Sequence, residues 1–153
     1  MAFSYRSISS SSSDVPVFKA LLSVFGAAFG EVDTYQGHVP GDAYLRALLD
    51  KPHVIALAAL DGEEVVGGLV AYELEKFEQA RREIYIYDLA VSEAHRRKGA
   101  ASGLLRALQS IAKARGAYVI FVQADRSDDA AIRLYESFGT REDVLHFDIP
   151  VPR

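Results

Sequence analysis

Six consecutive residues, Arg96-Arg97-Lys98-Gly99-Ala100-Ala101, set three cations beside three small residues. Directly behind them, Ala101, Leu104, Leu105, Leu108, Ile111 and Ala112 recur at the spacing of one helical face. A helix start carries backbone N–H groups without intrahelical partners and a partial positive charge. Small residues there let a phosphate approach the backbone closely. The turn therefore suits a polyanion; the alternative is a basic loop entering an ordinary surface helix. A Walker-type P-loop is excluded, because Gly-x-x-x-x-Gly-Lys-[Ser/Thr] is absent.

The strand ahead of that turn, Ile84 to Val91, is β-branched and aromatic and holds one acidic residue, Asp88. A carboxylate inside an apolar strand is costly unless paired. A regular pleat aims Asp88 at the same covered face as Ile84 and Ile86, whereas a bulge near it would turn it toward a cleft. It is either a functional carboxylate or a structural one holding an Arg or a Tyr. The chain has no cysteine, hence no disulfide, no thiolate nucleophile and no thiolate ligand. His38, His53, His95 and His146 lack metal-site spacing, so no metal is expected.

The elements that must position these groups follow from periodicity. Ala2 to Ile8 alternates loosely as a first strand. Ser9 to Ser13 is a solvated loop leading to a helix N-cap. Pro16 suits a first helical turn, Phe18, Leu21, Leu22, Phe25, Ala28 and Phe29 share a face, and Gly30 fits the stop. Glu31 to Gly41 reads as a polar loop with two carboxylates, Glu31 and Asp33. Asp42 can cap a short helix carrying Leu45, Leu48 and Leu49, ended by Pro52. Val54 to Leu60 and Val65 to Tyr72 are strand candidates joined by an Asp61-Gly62 hairpin signal. Glu73 to Arg82 is charged and reads as a loop.

After the helix behind Ala101, Gly116 is a stop, and Ala117 to Val122 is almost continuously apolar, as for a strand covered on both faces. Strand, helix and strand within about 40 residues suggest a right-handed parallel unit. Ser127 or Asp128 can cap a further helix with Ala131, Leu134, Tyr135 and Phe138 as its stripe and Gly139 as its end. Val144 to Ile149 reads as a last strand, closed by Pro150 and Pro152. The expected fold is α+β. It is a mixed, mostly antiparallel sheet flanked by helices, in which the fourth and fifth strands run parallel.

At 153 residues, half of them hydrophobic, one folded domain spanning 1–153 is expected. No signal peptide or apolar run of about 18 residues is evident, so a soluble cytoplasmic protein without a membrane partner is expected. The net charge of −4 disfavours nucleic acid.

Arg96-x-x-Gly99-x-Ala101 after an apolar strand resembles the acyl-CoA signature of the GNAT superfamily of N-acetyltransferases. The element order is similar to that fold, and Ala131-x-x-Leu134-Tyr135-x-x-x-Gly139 resembles its sulfur-facing tyrosine segment. Phe29-Gly-Glu-Val-Asp-Thr-Tyr35, Phe77-Glu-Gln, Glu83-Ile-Tyr-Ile-Tyr-Asp-Leu-Ala-Val91, Val122-Gln-Ala-Asp125, Asp128-Asp129 and His146-Phe-Asp-Ile149 look like the type I aminoglycoside 3-N-acetyltransferases, the gentamicin-resistance branch. That resemblance runs from about Ala20 to Ile149.

It implies transfer of the acetyl group of acetyl-CoA to the 3-amine of an aminoglycoside; the alternative is another small-molecule or protein amine. Asp88 would serve as base or amine contact, and Tyr135 as acid or hydrogen-bond donor at the sulfur. Backbone at Leu89, Ala90 and Val91 would bind the pantetheine arm, and the CoA slot would open where the parallel strands separate. Arg96, Arg97, Lys98, Gly99, Ala100, Ala101 and Ser102 would hold the pyrophosphate. The polycationic drug needs carboxylates, and Glu31, Asp33, Asp88, Asp125, Asp128, Asp129 and Asp148 are the candidates. For Asp128 and Asp129, helix capping competes with that role. Homodimers are common in the family.

Overall fold

The computed structural model describes residues 2–153. The chain divides into two compact units, Met1–Gln123 and Ala124–Arg153. In the first unit, β1 (Ser4–Ser7), β2 (Val54–Asp61), β3 (Glu64–Glu75), β4 (Arg82–Val91) and β5 (Ala117–Val122) form one sheet in that order. The first three pairings are antiparallel and β4·β5 is parallel. The helices are α1 (Val15–Phe29), α2 (Val32–Gln36), α3 (Asp42–Leu49) and α4 (Ala100–Arg115). The mixed sheet with its parallel pair is the arrangement that the apolar periodicity predicts.

Strand alternation assigns the two sheet faces. Ala56, Ala58 and Ala90 pack with Phe18, Leu21 and Phe25 of α1 and Leu45 and Leu49 of α3. The opposite row, Leu57, Leu69, Ala71, Ile84 and Ile86, is buried with Leu104 and Leu108 of α4. Close approach of α1 depends on Gly68, where a Cβ would run into the Leu57 carbonyl and the Leu21 side chain. Gly30 ends α1 at φ 65, and Gly116 ends α4 at φ 74, both left-handed and suited to glycine.

Four expectations change. Glu31 to Gly41 is not all loop: Val32–Gln36 is helical, because Tyr35 is drawn onto Phe25 and Phe29, with ring centroids 5.8 Å from each. Asp42 does not cap α3; Gly41 takes that position and Asp42 pairs with Lys19 at 2.7 Å. β5 is not covered on both faces. It is the sheet's edge strand, and Tyr118, Val119 and Phe121 are exposed.

The second unit holds α5 (Asp129–Glu136), capped by Asp128, whose Oδ1 accepts the Ala131 N–H at 3.1 Å. The last strand expected over Val144 to Ile149 is absent. A strand exists only with a ladder partner, and among the described residues of the second unit this segment has none. No helix among the described residues is long and apolar enough to cross a membrane.

Candidate functional site

The site is built on the irregularity of β4. Val70 of β3 faces Asp88, but its neighbour Ala71 faces Ile86, so Tyr87 is an extra residue on β4. This bulge shifts the pleat by one residue. Asp88 thereby leaves the face of Ile84 and Ile86 and turns to the α1 side. There the Tyr35 hydroxyl donates to Asp88 Oδ2 at 2.8 Å, across 53 residues of sequence.

Burial holds the Asp88 carboxyl above the usual range; the Tyr35 hydrogen bond pulls it down, and the nearby charge of Glu31 pushes it up again. Burial and the same hydrogen bond raise the Tyr35 hydroxyl far above its usual value. Tyr35 is therefore a fixed donor. Of the two alternatives for Asp88, the structure shows the tyrosine partner.

The bulge coincides with the end of the parallel pairing. β4 and β5 match from Arg82↔Ala117 to Ile86↔Val122 and no further. Leu89, Ala90 and Val91 pair with β3 on one side only. Their other edge offers backbone groups of the kind a pantetheine amide pairs with. Next, Arg96 Nε donates to the Val91 carbonyl at 3.1 Å, binding the turn to the strand end. Arg97 has φ 61 and Gly99 φ 87, both left-handed. Beyond its chain neighbours, a Cβ built on Gly99 meets no heavy atom within 4 Å. The first helical bond of α4 runs from Gly103 N to the Gly99 carbonyl at 3.0 Å. The N–H groups of Ala100, Ala101 and Ser102 lie ahead of that bond, beside exposed Arg97 and Lys98. Open space, free donors and cations together fit a pyrophosphate. Between α1 and this turn lies a hollow of about 110 Å³ lined by Val24, Ala27, Ala28, Ser92, Glu93 and Arg96.

The remaining candidates fall into the two units. Glu31 precedes α2 and is close enough to Asp88 to act on its charge, whereas Asp33 is an exposed residue in the first turn of α2. In the second unit, Asp125 precedes α5 and its carbonyl accepts the Asp128 N–H at 3.0 Å. Asp128 caps the helix and Asp129 opens it. Tyr135 is half-buried on α5, and Asp148 accepts from His146 Nε2 at 2.9 Å.

Sequence reasoning missed Tyr35 and an aromatic row. Tyr72 meets Tyr87 edge-on at 6.2 Å, Tyr85 meets Tyr87 at 5.9 Å, and Tyr85 stacks on Phe121 at 4.7 Å. The alternation Tyr85-x-Tyr87 is the signal that a shared row was coming, although the bulge interrupts it.

The sequence pattern of the Acetyltransferase (GNAT) family matches residues 19–140. A solved aminoglycoside acetyltransferase from an uncultured soil metagenomic sample is 53% identical; the alignment covers 99% of this chain and 100% of that one, at a TM-score of 0.96. A second, also from an uncultured soil metagenomic sample and solved in complex with sisomicin, is 30% identical over 98% of this chain and 97% of its own, at a TM-score of 0.89. N-acetyltransferase 8B of Rattus norvegicus is 28% identical over 89 residues, 58% of this chain and 40% of the rat protein's length. The family pattern spans most of the chain, and the chain belongs to the acetyltransferase (GNAT) family.

Proposed function

We propose that the chain is an acetyl-CoA-dependent aminoglycoside 3-N-acetyltransferase acting on gentamicin-like antibiotics, a single cytoplasmic GNAT domain over residues 1–153 that confers resistance and works as a homodimer. The observation that carries this is Asp88, turned by the bulge out of the core face and set beside the open edge of β4. The two soil-metagenome acetyltransferases, one of them holding sisomicin, support the substrate class.

The chemistry follows from the residue types. Asp88, directly or through water, takes a proton from the drug ammonium or orients the amine. The amine nitrogen attacks the thioester carbon and gives up its second proton to water, the C–S bond breaks, and the thiolate leaves. Tyr135 donates to that sulfur. With no cysteine available, transfer is direct, from a complex holding both substrates. Backbone at Leu89, Ala90 and Val91 orients the arm and polarises the carbonyl. Arg96, Arg97, Lys98 and the N–H groups from Gly99 to Ser102 hold the pyrophosphate. Glu31, Asp33, Asp125, Asp128, Asp129 and Asp148 supply negative charge to the polycation. Holding the two substrates together supplies much of the rate.

The test mixes protein, acetyl-CoA and gentamicin, follows thiol release, and locates the new acetyl group by NMR. Acetylation at the 3-amine is expected. Acetylation elsewhere refutes the regiochemistry, and release only with spermidine or peptides refutes the drug.

A further inference from the structure

We infer that Tyr5 is a positioning residue for acetyl-CoA, which holds the small-residue turn so that a backbone N–H at the start of α4 stays aimed at the pyrophosphate. The inference rests on the proposed reading that this turn holds acetyl-CoA, and adds to it a residue from the first strand.

Along the extended chain of β1 and the residues just before it, Phe3 and Tyr5 share one side and Ser4 and Arg6 the other. Arg6 reaches Asp14, ahead of α1, at 2.9 Å. Tyr5 is left to the α4 side of the sheet. There its hydroxyl donates to the Gly99 carbonyl at 3.4 Å, across 94 residues of sequence. Gly103 lies one turn further along α4, on the same helical face as Gly99. A Cβ built on Gly103 would run into the hydroxyl and ring of Tyr5. A glycine inside a helix is unfavourable relative to alanine. Here it is the notch in which the tyrosine sits.

What Tyr5 holds is a peptide unit of the turn. Gly99 stands at φ 87, and glycine moves between backbone regions more freely than any other residue. Its carbonyl accepts the Gly103 N–H at 3.0 Å and has a second lone pair for the Tyr5 hydroxyl. A peptide unit is planar and trans, so fixing the Gly99 C=O fixes the Ala100 N–H, which points the opposite way. That N–H lies ahead of the first helical bond of α4, among the donors proposed for the pyrophosphate. The same side of the N-terminal chain also braces the other end of the turn. The Phe3 ring meets His95 edge-on at 6.4 Å, and His95 Nδ1 shares a hydrogen bond of 2.8 Å with Ser92 Oγ. Exposed Arg97 and Lys98 lie between the two braces.

Calorimetry with acetyl-CoA and steady-state thiol release test the inference. Tyr5→Phe keeps the ring and removes the hydroxyl, and should weaken acetyl-CoA binding about 3-fold, the scale of one neutral hydrogen bond. Gly103→Ala should evict the ring and weaken binding by about 10-fold, although alanine is the better helix former. A Tyr5→Ala chain has no ring to evict, so adding Gly103→Ala to it should cost no further affinity. In Tyr5→Phe and Gly103→Ala, KM for acetyl-CoA should rise while kcat at saturation holds. Turnover of acetylpantetheine, which has the arm and no pyrophosphate, should match the wild type, a result that general damage to the fold would not give. Wild-type affinity in both single variants, a further loss in the double variant, or an equal loss with acetylpantetheine would overturn the role of Tyr5 and leave the turn as the binding site. A wild-type chain that does not bind acetyl-CoA would overturn the reading of the turn itself, and the role of Tyr5 with it.

Discussion

Asp14 and Asp88 are both carboxylates withdrawn from water, and their surroundings are opposite. Asp14 precedes α1. The Ser9 N–H reaches its Oδ2 at 2.6 Å, the Ser9 hydroxyl at 2.8 Å, and an Arg6 guanidinium nitrogen its Oδ1 at 2.9 Å. Burial pushes its pKa up, but these donors and the Arg6 charge outweigh that and hold it below the usual range. Asp88 accepts from the Tyr35 hydroxyl, with a carboxylate, Glu31, acting against its charge, and its pKa stands above the usual range. Asp14 is surrounded by donors that favour its charged form, whereas burial and Glu31 disfavour the charged form of Asp88. The difference marks Asp14 as a fastener and supports the proposed role of Asp88 as a working group.

The sharpest way to break this contrast is Asp88→Asn. A positioned acid or base is worth ~10²–10⁴ in rate, so turnover should fall by that order while acetyl-CoA binding by calorimetry stays intact. Stability should move the other way. A carboxyl whose folded pKa is raised favours the fold below its unfolded pKa and loses that contribution as pH rises through the folded value. At neutral pH the charged Asp88 therefore weighs against folding, and Asn, which still accepts from Tyr35, removes that burden. The melting temperature should hold or rise. Near-normal turnover would make Asp88 a fastener like Asp14.

A third carboxylate can be placed where no donor set was built for one. Gly99→Asp puts negative charge at the start of α4, in a backbone conformation of φ 87 that side chains rarely adopt. There it opposes a pyrophosphate and strains the turn by about 1–3 kcal/mol. Acetyl-CoA affinity should fall on the order of 10–100-fold by calorimetry, from strain and like charge together. An unchanged dissociation constant would remove the turn from the site.

Much of this was legible in the sequence, for a physical reason. Apolar spacing records burial locally, so α1, α4, the hairpin β2·β3 and the small-residue turn could be read from their own residues. The conflict of Asp88 with its strand could be read too, since a carboxylate beside Ile84 and Ile86 demands a bulge, and Tyr87 is that bulge. What lay beyond reach was the identity of distant partners. Tyr35 sits in a polar stretch that promised only loop, and its partner is 53 residues away. Ala117 to Val122 advertised coverage on both faces, yet continuous apolarity does not say whether a strand is central or an edge. Residues 144–149 carry a strand's pattern, but a pattern does not supply the ladder that makes a strand.

Asp14 tests the other half of the comparison. Its folded pKa lies below the unfolded value of roughly 4, so its contribution is present above that pH and lost as pH falls through the folded value. Asp14→Ala should cost about 2 kcal/mol at pH 7, since it strips donors from a charge-assisted network. Urea unfolding should show the gap between wild type and variant closing as pH falls below the unfolded value, with turnover per folded molecule unchanged. A gap independent of pH would mean that packing, not the carboxylate's charge, holds this corner.

The smallest effect belongs to Tyr35→Phe, which leaves Asp88 in place and removes the hydroxyl that donates to it. The ring stays against Phe25 and Phe29, so the loss is confined to the hydroxyl. That hydrogen bond stabilises the charged carboxylate, and one to a charged group is worth about 1.5–3 kcal/mol where it is fully shielded. In this half-buried site screening by solvent makes the resulting shift of the Asp88 pKa smaller than that full value implies. Its direction is upward, because the donor favours the ionised form that the base role needs. The acid limb of kcat/KM, which reports the free enzyme, should therefore move to higher pH, while the plateau above it drops by less than in Asp88→Asn. A limb that stays fixed would mean that Tyr35 only props the strand bulge. A limb that moves while the melting temperature barely changes would show that this tyrosine sets the protonation of Asp88.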